Sequence, residues 1–165
     1  MIRMTSNTTP NPYVASASSE VPNVASPFAN GLAFQVFTRD PNHSWTAVGG
    51  SAWVQIDAGL GFTLTISQYT IGVEEFSTQL FPDRTPSDWR ILGSQDAVSW
   101  DVLDTQIGQN WGSFGVPGPV RRSYTCDVDI ATPYRFLRMD ISANHGSIYT
   151  SVTAWDFGAR FDHFY

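Results

Sequence analysis

Three stretches of this chain change chemical character at every second residue, and that alternation limits the fold more than any other feature of the sequence. In 67–73, Tyr69, Ile71 and Val73 alternate with Gln68, Thr70 and Gly72. In 135–141, Leu137, Met139 and Ile141 alternate with Phe136, Arg138 and Asp140. In 89–94, Trp89, Ile91 and Gly93 alternate with Arg90, Leu92 and Ser94, and Gln95-Asp96 supplies a turn before Trp100. A period of two belongs to a strand with one apolar face. Such faces need a second sheet to cover them, which predicts an all-β, jelly-roll-like β-sandwich. About eight strands are expected, over 13–17, 53–58, 67–74, 89–94, 100–106, 122–128, 135–141 and 152–157.

Composition fits this reading. The charged fraction is 15% and the aromatic fraction 14%, with 13 Gly and 10 Pro, as expected of strands joined by many turns. A chain of 165 residues is long enough for one core and short for two. Residues 1–12, polar and without periodicity, are expected to form an arm, 13–157 the sandwich and 158–165 a tail. No apolar run of about eighteen residues predicts a membrane span, and residues 1–7 lack the apolar stretch of a secretory signal. A net charge of −6 weighs against a nucleic-acid partner, because an acidic surface repels a polyanion. The arginines are expected to be solvated or paired on strand faces. Cys126 is the only cysteine, so neither an intramolecular disulfide nor a thiolate metal cluster can form.

Several separated pieces of the chain occur in the order of a known family. Ala15-Ser16-Ala17-Ser18-Ser19 is similar to its opening small-residue strand, and Phe28-Ala29-Asn30-Gly31 with Ser44-Trp45 is similar to its Ala-x-Asp-Gly…Thr-x-Trp segment. Trp53-Val54-Gln55-Ile56-Asp57-Ala58-Gly59 resembles its Trp-Val-Gln-Val-Asp-Leu-Gly strand. The segment 66–71, the 89–100 hairpin and Tyr134-Arg135-Phe136-Leu137-Arg138 follow. On these residues the chain resembles the discoidin (coagulation-factor type C) family and its relatives, the galactose-binding-like carbohydrate-binding modules. Arg84-Thr85-Pro86-Ser87-Asp88-Trp89 and 141–146 look most like versions found in bacteriophage virion proteins. The resemblance implies a binder without catalysis, carried on a virion. Its partners would be a host-surface glycan, other virion proteins and further copies of itself, with no membrane insertion. The alternative it leaves open is a structural decoration or fibre protein of the head or tail that contacts neighbouring subunits and takes no ligand.

The long segments 32–52, 75–86, 107–121 and 142–151 are the expected seats of function. Sugar recognition needs an apolar platform for the C–H face of a pyranose and polar groups for its hydroxyls. Trp111, Phe114, Phe76, Phe81 and Tyr149 are candidate platforms, and Arg84, His43, Asn144 and His145 candidate hydrogen-bonding groups. Each has a structural alternative: a packing contact for Trp111, a salt bridge pinning the loop before Trp89 for Arg84, and a turn held by its own side chain for Asn144 and His145. Trp45, Trp53, Trp89, Trp100 and Trp155 sit at strand positions and read as core. The resemblance implies a structural calcium held by loop carbonyls and two carboxylates, but Asn30 and Ala154 stand where the carboxylates would be. No cofactor is expected, and calcium remains the one ion open to question. Asp127 and Asp129 share a strand face without a setting that would separate their pKa values, and no Ser/His/Asp or Cys/His pattern is present, so no enzyme is expected.

Overall fold

The computed structural model describes residues 2–22, 31–40, 43–73, 82–111, 120–127 and 132–157, with the backbone alone at 160–163. Among them the chain is built of strands and two short 3₁₀ turns, Ala33–Phe37 and Pro82–Arg84. The larger sheet joins β1 (Val14–Ala17), β3 (Ala52–Asp57), β9 (Phe136–Asn144), β6 (Pro86–Ser94) and β7 (Asp101–Gln106), in that order. Opposite it lies a sheet of β11 (Ala154–Phe157), β5 (Gln68–Val73) and β8 (Val120–Thr125). Two antiparallel pairs complete the fold: β2 (Trp45–Val48) with β10 (Tyr149–Val152), and β4 (Phe62–Thr65) with β12 (Arg160–His163). The architecture is an antiparallel β-sandwich.

The core is made by the faces that the alternation marks. Leu137, Met139 and Ile141 of β9 meet Val54 and Ile56 of β3 and Trp89 and Ile91 of β6 on one side, with Tyr69, Ile71 and Val73 of β5 on the other. All are buried. Inside this core the Tyr69 hydroxyl donates to the Asp104 carboxylate and accepts from the Trp89 indole N–H at 3.0 Å. Gln106 also donates to Asp104, at 3.1 and 3.3 Å. The buried carboxylate is thereby hydrogen-bonded, which removes most of the cost of burying it. Burial, and then the bond to Asp104, hold the Tyr69 phenol above its ordinary value.

The structure departs from the sequence reading in four ways. Residues 2–12 do not project as an arm: Ile2 and Met4 enter the core, the Met4 N–H bonds the Phe37 carbonyl, and Asn7 clasps Glu20 and the Phe34 N–H, both at 2.9 Å. The N-terminal segment is thus held by contacts within the chain. Strands β2, β4, β10 and β12 were not marked by alternation; β2 reads Trp45-Thr46-Ala47-Val48 and buries three residues in succession. The expected strand at 152–157 begins earlier and divides at Thr153 into β10 and β11.

The outer face of the larger sheet carries the fourth difference. Trp45, Trp89 and Trp155 are core residues as expected, whereas Trp53 and Trp100 stand half-buried on either side of the Arg138 guanidinium, at 4.3 and 4.0 Å. Arg138 also donates twice to Gln55, and burial lowers its pKa. Arg135 forms a two-pronged bond with Asp57 at 2.8 Å, and Arg90 pairs with Asp140 at 2.6 Å. Arg90 and Arg135 are thus paired with carboxylates, and Arg138 is held by Gln55 and the two indole rings.

Candidate functional site

One end of the sandwich gathers most of the candidate residues. Strand β9 runs to Asn144, and a short turn at 145–148 leads into β10. Asn144 builds this turn. Its amide donates to the carbonyls of Ser147 and Tyr149 at 3.0 and 2.7 Å and to the Thr150 hydroxyl at 3.2 Å, while its Oδ1 accepts the Gly146 N–H at 2.9 Å. With its hydrogen-bonding capacity used on the loop, Asn144 is a framework residue, the role its local sequence implies. Gly146, at φ 105°, supplies the left-handed conformation that the turn needs.

The turn is tied to its neighbours on three sides. The Ser147 N–H bonds the Asp83 carbonyl at 3.2 Å, which brings Pro82–Arg84 alongside. The Gly49 N–H bonds the Ile148 carbonyl at 2.7 Å, and the Thr150 hydroxyl bonds the Gly49 carbonyl at 2.8 Å. The His145 Nε2 lies 3.1 Å from the Gln109 carbonyl. Gln109 is in turn anchored through its N–H to Ser87, and Gly108 through its N–H to the Asp88 carboxylate. Four separate segments therefore converge on one surface. There the Arg84 guanidinium lies over the Tyr149 ring, 5.0 Å from its centroid. Val48, Ile107 and Ile148, in or next to the segments that meet here, are exposed.

Trp111 is at this end but not on its surface. It is 4% exposed, stacks on Trp89 at 6.1 Å, donates its indole N–H to the Pro86 carbonyl at 2.7 Å and carries the Arg122 guanidinium over its ring at 5.1 Å. The indole extends the core beneath the loops, so the expected exposed platform is corrected to a buried wedge. A long glycine- and proline-rich segment gave no hint that β6 would place Trp89 and the Pro86 carbonyl against it.

His43 belongs elsewhere. It precedes β2 at the end where Trp45 pairs with Val152, whereas Tyr149 pairs with Val48 at the other end of the same ladder. Its Nδ1 faces Asp40 at 3.0 Å. Phe76, Phe81 and Phe114 lie outside the described residues, as does Asn30. Ala154, the position of the second expected calcium carboxylate, is a buried residue of β11. No group of three or more His, Cys, Asp or Glu that could hold a metal is present among the described residues. Among those residues, too, no helix is long and apolar enough to cross a membrane.

No protein-family model and no curated protein matches this sequence. Solved structures do match. CpGH89CBM32-5 from Clostridium perfringens, in complex with GalNAc-β-1,3-galactose, shares 13% identity over 88% of this chain and 94% of that one, with a TM-score of 0.63. The CBM32 of AlyQ, in complex with 4,5-unsaturated mannuronic acid, shares 18% identity over 88% and 93%, with a TM-score of 0.58. Chitosan-binding module 1 of a chitosanase/glucanase from Paenibacillus sp. IK-5 shares 16% identity over 96% and 99%, with a TM-score of 0.60. Nothing in these likenesses bears on a virion setting. At such low identities they speak for the fold alone, and the fold they share with this chain is the galactose-binding-like sandwich of carbohydrate-binding modules.

Proposed function

We propose that this chain is a carbohydrate-binding module without catalysis of its own, and that it takes a glycan at the end of the sandwich where Arg84 covers Tyr149. The observation that carries this reading is the arrangement of that pair on a surface knitted from four segments. An aromatic ring beside a guanidinium sets apolar area next to a cationic donor group, and the hydrogen bonds of Asn144, Ser147 and Gly49 hold the frame before a ligand arrives, which lowers the ordering cost of binding. His145 stands exposed at the rim. The bound sugars in two of the similar structures support the ligand class. On the resemblance of its sequence, the carrier is a phage particle and the glycan lies on a host surface, where many copies would raise a weak single-site affinity.

The test is a screen of the purified chain against galactosides and bacterial surface polysaccharides, with Tyr149→Ala alongside. Binding that weakens at least about tenfold in the variant is the expected result, corresponding to about 1.4 kcal/mol. A folded chain that binds no glycan even when multimerised would overturn the reading. Val48, Ile107 and Ile148, at 61%, 75% and 72% exposure, favour a second reading in that event, in which a neighbouring virion subunit covers this apolar rim.

A further inference from the structure

A second concave site lies on the flank of the sandwich, on the sheet formed by β5, β8 and β11. The cleft encloses about 180 Å³ and is lined by Ser67, Gln68, Thr70, Ser123 and Asp156, with the buried rings of Tyr69 and Phe157 beside them. Strand pairing explains how these groups meet. Thr70 pairs with Asp156 on one side and with Ser123 on the other, so a carboxylate and two hydroxyls form a row across three strands. The two hydroxyls are 2.8 Å apart. In the next row, Gly72 pairs with Ala154 and with Arg121, and the absence of large side chains there lets Arg121 reach diagonally to Asp156 at 3.1 Å. Arg39 meets the other oxygen of the same carboxylate at 3.3 Å. Arg39 holds φ 62°, a left-handed conformation that residues with a Cβ avoid and that tends to be retained where a side chain must be aimed.

We propose that this flank cleft binds a single pyranose unit, independently of the end loops. Hydroxyls both donate and accept, a carboxylate accepts, and guanidinium donates. The row therefore offers a complementary partner to each orientation of a sugar hydroxyl. Adjacent strands are about 4.8 Å apart, comparable to the width of a six-membered ring, so one ring covers one interval of the row and its outward hydroxyls reach the side chains on the strands either side. The volume falls below the roughly 300–1,000 Å³ of clefts that enclose drug-sized ligands, which limits the site to one ring. The two guanidiniums fix the Asp156 carboxylate in advance. The proposal shares only its ligand class with the reading of the end loops.

The experiment is an amide-resolved NMR titration of the full chain with methyl β-galactoside, methyl α-glucoside and N-acetylglucosamine, each compared with glycerol. Saturable shifts at Thr70, Ser123 and Asp156 with at least one sugar are expected, persisting in Tyr149→Ala and weakened at least tenfold in the Thr70→Val, Ser123→Ala double variant. Ser123→Ala alone serves if the double variant does not fold. Shifts confined to the end loops would overturn this proposal and leave the end site standing; shifts confined to the flank would do the reverse. No response at the flank up to the solubility limit of all three sugars, or an equal response to glycerol, would also overturn it.

Discussion

The indole of Trp111 lies between Trp89 and the Arg122 guanidinium, so its replacement tests packing and hydrogen bonding separately. Trp111→Phe keeps an aromatic ring against Trp89 but leaves the Pro86 carbonyl without the indole donor. An unsatisfied buried acceptor costs about 1–3 kcal/mol, and urea unfolding should show a loss of that size with little change in glycan binding. Cys126 supports a prediction about pH. Burial pushes its thiol up to about 11 from an ordinary 9.0, helped by the nearby Asp104 and Asp127 charges. A raised folded pKa stabilises fully below the unfolded value and loses that stabilisation as pH rises through the folded one. Tyr69 acts in the same direction from its ordinary 10.0 upward. The urea midpoint should therefore hold up to pH 9.0 and then fall towards pH 11, and a thiol reagent at neutral pH should modify Cys126 far more slowly in the folded than in the unfolded chain.

At the scale of the element, β6 shows how one strand serves both the core and a turn. Trp89 and Ile91 point inward, and Gly93 is small because the Tyr134 ring lies against it: a Cβ there would come 2.6 Å from the ring. The Tyr134 hydroxyl reaches Asp101 on β7 at 3.0 Å, and Tyr134 and Leu64 exchange backbone hydrogen bonds at 2.7 and 2.9 Å. Gly93→Ala should displace the ring and cost about 1–3 kcal/mol, as overpacking generally does; a fall in the thermal midpoint without loss of sheet signal in circular dichroism would check it. The turn after β6 was legible in advance because Asp96 is a local device. Its Oδ1 accepts the N–H groups of Val98 and Ser99, both at 2.8 Å, and the Ser94 hydroxyl, and these bonds, Ser99 foremost, hold its pKa below the ordinary value. By contrast, β2 carries no alternating signature because it buries three consecutive residues, and its partner β10 lies about a hundred residues away in sequence.

For the whole molecule, the N-terminal segment is part of the domain. Met4 is 1% exposed, and its removal from a packed site should cost about 2–5 kcal/mol. Met4→Ala should accordingly lower the urea midpoint, whereas Arg3→Ala, on the exposed face beside it, should not. What the sequence determined by itself was whatever depends on near neighbours: the two-faced strands β5, β6 and β9, the Asp96 turn, the self-held Asn144 turn and, through the order of its motifs, the galactose-binding-like fold. Alternation and turn chemistry act within a few residues, so they can be read along the chain. The tertiary structure decided the rest. It buried Trp111, carried His43 away from Tyr149, set Arg84 over Tyr149, sent Met4 into the core and aligned Asp156, Thr70 and Ser123 across three strands. Each of these outcomes depends on which strands become neighbours, and strand pairing between distant segments follows from how all the apolar faces pack at once, a property that no local window of sequence contains.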